Sequence, residues 1–320
     1  MEEISICTIG DSTCDNFYTL DEDQARLMCN LKHQECEISF KYGEKIPVRD
    51  TLRSFGGSAL NTAIGFSRLG LETSIFTILG KDEEGEKAKK FLENNSVGVD
   101  GVVFEGKTNQ AAIILYQGER TIFSYHAPRN YANLNSAEAT WIYFASASEG
   151  SDKYMQEAMT KNRSSKIAFN PGSWQLANFD KFTGMISLCE VLILNKSEAD
   201  MILQKESQVA KQLEKMLSMG IVIPVITDGA NGAYSVDHGK ILHMGTLATK
   251  AIDPTGAGDS FASGFVSALA HKLSIEESMK WGMVNSGHVV ETTGANSALL
   301  RYETMKSEVQ NASNLKATEL

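Results

Sequence analysis

The most specific pattern in the sequence is a run of acids and glycines, Asp253-Pro254-Thr255-Gly256-Ala257-Gly258-Asp259. Pro254 disfavours helix at the residue before it, so the chain should arrive extended and begin a helix near Ala257. Gly256 and Gly258 leave the backbone bare at that helix start, where free amides and the helix dipole attract a phosphate or a developing anion. The Asp259 carboxylate would lie beside the anion, in the first helical turn. Stabilisation of the helix start is the alternative role for such an acid.

A second candidate group follows an apolar strand at 191–194. Asn195 and Glu198 lie at the carboxyl end of this strand, where open α/β sheets bind ligands. Oxygen atoms three residues apart suit Mg²⁺, which is usually held by one or two protein oxygens together with waters and substrate phosphates. The alternative is a helix cap, with Asn195 or Ser197 as the cap and Glu198 at the helix dipole.

Three further polar turns are candidate ligand loops: 227–232 after a strand at 221–226, 10–15 after the first strand, and 56–61 at a helix start. If the strands are parallel, the loops after residues 9, 194 and 226 emerge at one edge of the sheet. For residues 227–232, the alternative is a simple hairpin turn. Pro224 is unexpected within the predicted strand at 221–226, because proline removes a donor from the hydrogen-bond ladder.

Residues 101–108 match the phosphate-loop pattern Gly-x4-Gly-Lys-Thr. A phosphate loop needs a strand before its first glycine and a helix that opens at the Lys-Thr pair. Here the four middle residues favour a strand themselves, and the residues from Gln110 onward also favour a strand. The context therefore argues against a phosphate loop in this segment.

The elements that must position these residues alternate between strand and helix. Strands are predicted at 4–9, 74–79, 141–145, 167–169, 191–194 and 221–226, and helices include 82–94, 256–270 and 275–290. This alternation predicts a mostly parallel sheet covered by helices. Two segments depart from it: a charged stretch at 16–46 with a short strand at 36–40, and a hairpin formed by 110–117 and 120–125.

The composition, 42% hydrophobic and 22% charged, is typical of a soluble globular protein. The net charge of −10 argues against binding to nucleic acid or to an anionic membrane. The start at 1–3 is acidic, and no apolar run approaches the roughly 20 residues of a membrane span, so we expect a cytoplasmic protein. The five cysteines form no Cys-x-x-Cys pair, and we expect them to be reduced thiols.

Taken together, the motifs at 56–61, 195–198, 227–229 and 253–259 resemble those of the ribokinase-like (PfkB-type) carbohydrate kinase family, in the family's order from Gly10 to about Asn296. The resemblance implies an α/β three-layer sandwich with a central, mostly parallel sheet and a small β-rich lid. The body would comprise 1–15, 47–105 and 127–320. The discontinuous lid would comprise 16–46 and 106–126.

The resemblance also implies roles for individual residues. The general base and the amides of the anion hole would be Asp259, Gly256, Ala257 and Gly258. The hydroxyl groups of the substrate would be bound by Asp15, Gly56, Gly57 and Asn61. The nucleotide would be contacted by Asn195, Thr227, Gly229 and Asn285. Mg²⁺ would be held by Glu198 and Asn195, and a monovalent cation such as K⁺ by Asp253 and Thr255. Ser58 departs from the lysine that follows the Gly-Gly pair in ribokinases and in several phosphofructokinase-type members.

The implied function is transfer of the γ-phosphate of ATP, with Mg²⁺, to a primary hydroxyl of a small carbohydrate. The negative net charge favours a neutral sugar or nucleoside over a sugar phosphate. Two alternatives stay open: a nucleoside kinase of the same fold, and a non-catalytic sugar-binding regulatory protein. A homodimer formed through the lid is a further expectation, since exposed sheet edges can pair.

Overall fold

The computed structural model describes residues 4–30, 36–135, 137–203 and 208–320. The strands in these ranges are β1 (Ser5–Ile9), β2 (Thr13–Thr19), β3 (Arg26–Cys29), β4 (Cys36–Ser39), β5 (Asp50–Gly56), β6 (Glu72–Leu79), β7 (Gly98–Phe104), β8 (Asn109–Tyr116), β9 (Glu119–Tyr125), β10 (Trp141–Phe144), β11 (Lys166–Phe169), β12 (Val191–Asn195), β13 (Ile223–Thr227), β14 (Ala233–Asp237), β15 (Lys240–Met244) and β16 (Thr318–Glu319). The helices are α1 (Ser58–Arg68), α2 (Glu83–Asn94), α3 (Ser151–Lys161), α4 (Ser173–Ala177), α5 (Thr183–Ile186), α6 (Lys196–Ile202), α7 (Val209–Ser218), α8 (Ala257–Ala270), α9 (Ile275–Val289) and α10 (Tyr302–Asn311).

The main sheet of the described chain has ten strands in the order β16-β15-β14-β13-β12-β11-β10-β1-β6-β7. Its strands from β7 to β13 are parallel, and the pairs from β13 to β16 are antiparallel. The carboxyl ends of β1, β10, β11, β12 and β13 therefore lie on one edge. The predicted mostly parallel sheet is confirmed.

Helices cover both faces of this sheet, because the inner strands carry apolar side chains on both sides. One apolar cluster joins the sheet to α1, α8 and α9 through Tyr143, Ile193, Ile64, Phe265 and Val284. The other joins it to α3, α6 and α7 through Phe144, Leu194, Met155, Ala199 and Leu213. The two clusters give the three layers that the resemblance implies. No helix in the described ranges is long and apolar enough to cross a bilayer.

A second sheet, in the order β5-β2-β8-β9, lies beside a two-stranded hairpin of β3 and β4. The predicted hairpin of β8 and β9 is confirmed, and its turn residues Gln117 and Gly118 have φ values of 50° and 82°, as two-residue hairpin turns require. The segment after β1, predicted to be a polar loop, is instead strand β2. Strand β5 lies outside the ranges predicted for the lid, and β2 begins at Thr13, so the small sheet is larger than those ranges imply.

The expectation that all cysteines are reduced is wrong for one pair. Cys29 and Cys36 are joined by a disulfide, because the antiparallel pairing of β3 and β4 places the two residues directly opposite each other. Their separation of seven residues gives no signal for this until the hairpin is known. Cys7, Cys14 and Cys189 are free and buried.

Pro224 lies within β13, although this strand is flanked on both sides. The antiparallel register with β14 begins only at Val225, so the ladder with β14 does not include the proline. The Pro224 carbonyl accepts a hydrogen bond from the Ser235 hydroxyl at 2.9 Å. The ladder with β14 therefore does not need the backbone N–H that proline lacks.

The phosphate-loop pattern at 101–108 adopts no phosphate-loop geometry. Gly101 lies inside β7, and the next element in the chain is strand β8 rather than a helix. The Thr108 hydroxyl donates to Asp82 Oδ1 at 2.5 Å, and the Thr108 amide donates to Oδ2 at 2.8 Å. The threonine that would face a phosphate is thus committed to the cap of α2.

Candidate active site

A cleft of about 250 Å³ opens where the carboxyl ends of the parallel strands meet the start of α8. It is lined by residues that the sequence singles out, namely Asn195, Glu198, Thr227, Gly256, Gly258 and Asp259. It is also lined by residues that the sequence reasoning did not assign to the site, among them Ser58, Arg120, Ser146, Asn170 and Pro254. The motifs spread over the sequence therefore converge on one cleft.

The start of α8 has the geometry that its glycines predict. Gly256 caps the helix with φ 81°, in the left-handed region that favours glycine. A Cβ at this position would lie 2.6 Å from the Cα of Ala295. The amide of Ala257, predicted to face an anion, instead donates to the Pro254 carbonyl at 3.2 Å. Gly258 is different: a Cβ built there meets no described atom within 4 Å, so there is open space beside its Cα.

The Asp259 carboxylate is held by two side chains of α1. The Ser58 hydroxyl donates to Oδ1 at 2.7 Å, and the Asn61 amide donates to Oδ2 at 2.8 Å. Burial raises the pKa of Asp259 above its ordinary value, and the hydrogen bonds from Asn61 and Ser58 oppose this effect. Asn61, predicted to bind substrate hydroxyls, is thus engaged with the candidate base.

Asp15 lies on β2, beside Gly56 at the end of β5. The Thr13 hydroxyl donates to Asp15 Oδ1 at 2.7 Å. A Cβ on Gly56 would come within 2.1 Å of Asp15 Oδ2, so only glycine leaves room for this carboxylate. Gly57 has φ 87°, and its Cβ would lie 2.8 Å from the Asp11 carbonyl. Burial raises the pKa of Asp15, and the negative charge of Asp259 adds to the increase.

Asn195 and Glu198 form a reciprocal cap at the start of α6. Asn195 Oδ1 accepts from the backbone N–H of Glu198 at 2.9 Å, and Glu198 Oε2 accepts from the backbone N–H of Asn195 at 2.8 Å. The capping role considered from the sequence is therefore present. Burial raises the pKa of Glu198, with a further contribution from the charge of Asp259. Both residues still line the cleft, and the cap uses only one of the two Glu198 carboxylate oxygens among the contacts of the described residues.

The donor set fits Mg²⁺ held in part by phosphates rather than by the protein alone. No group of three or more potential metal-binding side chains occurs in the described ranges. Mg²⁺ usually needs only one or two protein carboxylates when phosphates and waters complete its shell. The negative charges of Glu198 and Asp259 disfavour each other, and a bound cation would relieve this repulsion.

Arg120 reaches the cleft from β9 of the small sheet. Its Nη1 lies 3.8 Å from Asp253 Oδ1, which is too far for a hydrogen bond. This buried nitrogen has no hydrogen-bond partner among the described atoms. A guanidinium nitrogen that makes no hydrogen bond and lies in a cleft fits an anionic group such as a phosphate.

Asp253 and Thr255 lie together in the turn before α8. Asp253 Oδ1 accepts from the Thr255 amide at 2.9 Å and from the Thr255 hydroxyl at 2.5 Å. Its other oxygen accepts from the Gly294 amide at 3.1 Å. The two residues predicted to hold a monovalent cation are therefore neighbours, and their polar groups stabilise the turn.

Two of the remaining nucleotide candidates lie near each other at the end of β13. Thr227 ends the strand and lines the cleft. Gly229, with φ 52°, begins the short 3₁₀ turn Gly229–Asn231. A Cβ on Gly229 meets no described atom within 4 Å.

Asn285, like Gly229, is a predicted nucleotide contact that does not line the cleft. It is fully buried in α9. Its Nδ2 donates to the Ser260 carbonyl at 2.8 Å, and its Oδ1 accepts from the Leu300 amide at 3.1 Å. Both ends of the amide are thus occupied by the protein interior, and Asn285 ties α9 to α8 rather than facing the cleft.

Comparison with known proteins places this chain in a family. The model of the "pfkB family carbohydrate kinase" matches residues 26–301. The chain is 25% identical to a ribokinase of Haemophilus influenzae over 83% of this chain and 91% of that protein. It is also 25% identical to a nucleoside kinase of Methanocaldococcus jannaschii over 81% of this chain and 86% of that protein.

Comparison with solved structures also finds ribokinases. The crystal structure of a ribokinase from Thermotoga maritima superimposes with a TM-score of 0.78 at 20% identity, covering 96% of this chain and all of that one. The expected ribokinase-like fold is confirmed by this match. With the family model covering most of the chain, the protein belongs to the pfkB family of carbohydrate kinases and is a phosphotransferase with an alcohol group as acceptor.

Proposed function

We propose that the protein transfers the γ-phosphoryl group of ATP to a primary hydroxyl of a small neutral sugar. The observation that carries the proposal is the position of Asp259 at the start of α8, with the exposed Gly258 beside it in the cleft. A carboxylate next to a helix N-terminus pairs a proton acceptor with a site for the developing charge of a phosphoryl group.

Phosphoryl transfer asks the protein mainly for positioning and for charge stabilisation around a loose transition state. Asp259 would accept the proton of the acceptor hydroxyl. The amide of Gly258 and the guanidinium of Arg120 would face the transferred group, and Asp15 would bind hydroxyls of the acceptor. These roles use groups that line the cleft or lie beside it.

Glu198 and Asn195 would hold Mg²⁺ through water and the phosphates of ATP, and Thr227 and Gly229 would contact the nucleotide. When bound, Mg²⁺ neutralises charge on the phosphates. A monovalent cation near Asp253 and Thr255 would complete the site.

A nucleoside kinase is the second candidate function. It is favoured by relatives named nucleoside kinase, among them that of Methanocaldococcus jannaschii, which is as similar in identity as the ribokinase of Haemophilus influenzae. Ser58, in place of the lysine that follows the Gly-Gly pair in ribokinases, also gives slight support to this alternative.

The experiment that separates these functions is an ADP-release screen over pentoses, hexoses, their phosphates and nucleosides. We expect release with a neutral sugar, whereas release confined to nucleosides would support the second candidate. If no acceptor on the panel yields ADP, the proposed acceptor class is contradicted.

Replacing Gly56 by alanine is expected to raise the KM for the acceptor by about 10- to 100-fold, the range for losing a hydrogen bond to a charged group. The added Cβ would lie 2.1 Å from Asp15 Oδ2 and must displace that carboxylate. Steady-state kinetics with varied acceptor measure the effect. Gly184→Ala is the matched control, because its Cβ meets no described atom within 4 Å; equal KM values for the two variants would contradict the role of Asp15.

Replacing Lys107 by alanine is expected to leave kcat and the KM for ATP nearly unchanged. Lys107 is exposed, and the neighbouring Thr108 is committed to Asp82. Steady-state kinetics with varied ATP check this expectation. A loss as large as that of an Asp259 variant would restore the phosphate-loop interpretation of residues 101–108.

A further inference from the structure

A chain of hydrogen bonds leads from the Asp259 carboxylate into the protein interior. Asn61 donates to Asp259 Oδ2 at 2.8 Å and accepts at its Oδ1 from Asn296 Nδ2 at 2.9 Å. Asn296 Nδ2 also donates to the Phe55 carbonyl at 2.7 Å. Both asparagines are 4% exposed. The proposed function assigns no role to Asn296.

The backbone carbonyl at the end of this chain fixes the orientation of both amides. A carbonyl oxygen only accepts hydrogen bonds, so Asn296 Nδ2 must be the atom that faces the Phe55 carbonyl. The same nitrogen also faces Asn61. The oxygen of Asn61 must then face Asn296, which turns its nitrogen toward Asp259. Arg68 holds the segment in place by donating to the Asn296 carbonyl at 3.0 Å and to the Leu299 carbonyl at 3.1 Å. Asn61 is therefore a fixed donor to Oδ2.

The partner of the other oxygen is of a different kind. Ser58 donates to Oδ1 at 2.7 Å, but a hydroxyl can rotate and act as donor or acceptor. If Oδ2 took a proton, the fixed N–H of Asn61 would face a poor acceptor. If Oδ1 takes the proton, Oδ2 stays a carbonyl oxygen that still accepts from Asn61, and the Ser58 hydroxyl turns to suit.

We propose that Oδ1 of Asp259 is the atom that takes the proton of the acceptor hydroxyl, and that Asn296 sets this choice by fixing the Asn61 amide. The inference rests on the proposed function for its place in the reaction. In that step the O–H bond of the acceptor breaks and an Oδ1–H bond forms. The acceptor oxygen bonds to the γ-phosphorus, and the bond from that phosphorus to the bridging oxygen breaks, leaving its electron pair on ADP.

Ser58 and Asn296 are positioning residues in this scheme, and the charge balance of the site agrees with it. The hydrogen bonds of Asn61 and Ser58 lower the pKa of Asp259 against the effect of burial. The charged and titratable groups around Asp259 are Asp15, Glu198, Arg120 and Tyr143. The negative charges of Asp15 and Glu198 disfavour ionisation of Asp259, and the positive charge of Arg120 favours it. Removing the Ser58 donor should therefore raise the pKa of Asp259.

The direct test is infrared difference spectroscopy of the protonated Asp259 carboxyl, identified by subtracting the Asp259→Asn spectrum, and it needs no turnover. If Oδ1 carries the proton, the remaining carbonyl is Oδ2. Removing its donor by Asn61→Ala, or releasing that donor by Asn296→Leu, then shifts the C=O band to higher wavenumber. Ser58→Ala leaves the band in place. The reverse pattern, a shift for Ser58→Ala alone, would overturn the proposal.

Kinetics supply the second arm of the test. Ser58→Ala is expected to lower kcat about tenfold, for one lost hydrogen bond to a charged group, and to move the acidic limb of the pH profile to higher pH. Ser58→Thr should restore both. Ser263→Ala is the matched control, because it removes a buried hydroxyl of α8, the helix that carries Asp259, and this hydroxyl donates to the Ser260 carbonyl. Equal profiles for Ser58→Ala and Ser263→Ala would refute the positioning role. A protein with no kinase activity would refute the proposed function and leave the infrared result to decide the proton position.

Discussion

Replacing Asp259 by asparagine is expected to lower kcat by about 10²- to 10⁴-fold, the usual contribution of a general base, while ATP still binds. The amide has the size of the carboxylate but cannot take a proton. Its oxygen can accept from Asn61, and its nitrogen can donate to the Ser58 hydroxyl, so the contacts to α1 persist. Steady-state kinetics and calorimetric titration with ATP measure the two properties separately.

The control for this variant addresses the alternative role of Asp259 as a helix-start acid. Asp152 lies in the first turn of α3, so Asp152→Asn removes the same interaction with a helix dipole at a position outside the cleft. We expect a small loss of stability and an unchanged kcat for Asp152→Asn. If Asp259→Asn kept more than a tenth of the wild-type turnover, Asp259 would not be the base.

Replacing Gly258 by aspartate is expected to separate activity from stability. A carboxylate in the first turn favours the helix, and aspartate has a higher helix propensity than glycine. The new side chain enters open space, so we expect an unchanged or higher Tm. The same charge would repel the phosphoryl group: two unit charges 4 Å apart at an effective dielectric constant of about 20 repel by roughly 4 kcal/mol, or about 10³-fold in kcat/KM.

Gly258→Ala is the matched control, since it adds a methyl group in the same space without a charge. We expect its kcat/KM for ATP to fall far less than that of Gly258→Asp, with thermal unfolding and steady-state kinetics measured on both variants. Increasing salt should recover part of the loss in Gly258→Asp if the effect is electrostatic. Full activity of Gly258→Asp would show that the phosphoryl group does not pass the start of α8.

Local rules predicted the parts of the site that depend on neighbouring residues. Pro254 and the glycines after it fix the start of α8 near Ala257, and Asp82 caps α2 through the Gly85 amide. The alternation of apolar strands and helices predicts the sheet, and the parallel order then brings the loops after β1, β12 and β13 to one edge. These features follow from backbone conformation and side-chain periodicity.

Contacts between distant residues could not be predicted in the same way. Ser58 and Asn61 are 201 and 198 residues away from Asp259 in the sequence, and no local pattern shows that their donors meet its carboxylate. The contacts of Asn285 could not be predicted for the same reason. Only the packing of α9 on α8 shows that its side-chain amide is hydrogen-bonded inside the protein.

Two local elements were missed as well. Helix α10 has Met305 as its fully buried residue, which is too little apolar periodicity to detect in the sequence. Strand β2 carries polar residues near its start, where Thr13 donates to Asp15, so the segment after β1 favours a loop by composition. Its position in the small sheet is set by pairing with β5 and β8.

The most direct test of the central claim is phosphorus NMR of reactions that contain ATP, Mg²⁺ and each acceptor of the panel. Wild-type protein is predicted to form ADP together with one new phosphomonoester of a neutral sugar. The Asp259→Asn variant is predicted to form both products at least about 10²-fold more slowly. The account would be contradicted if wild type yielded no phosphomonoester with any acceptor, or if the variant formed it at more than a tenth of the wild-type rate.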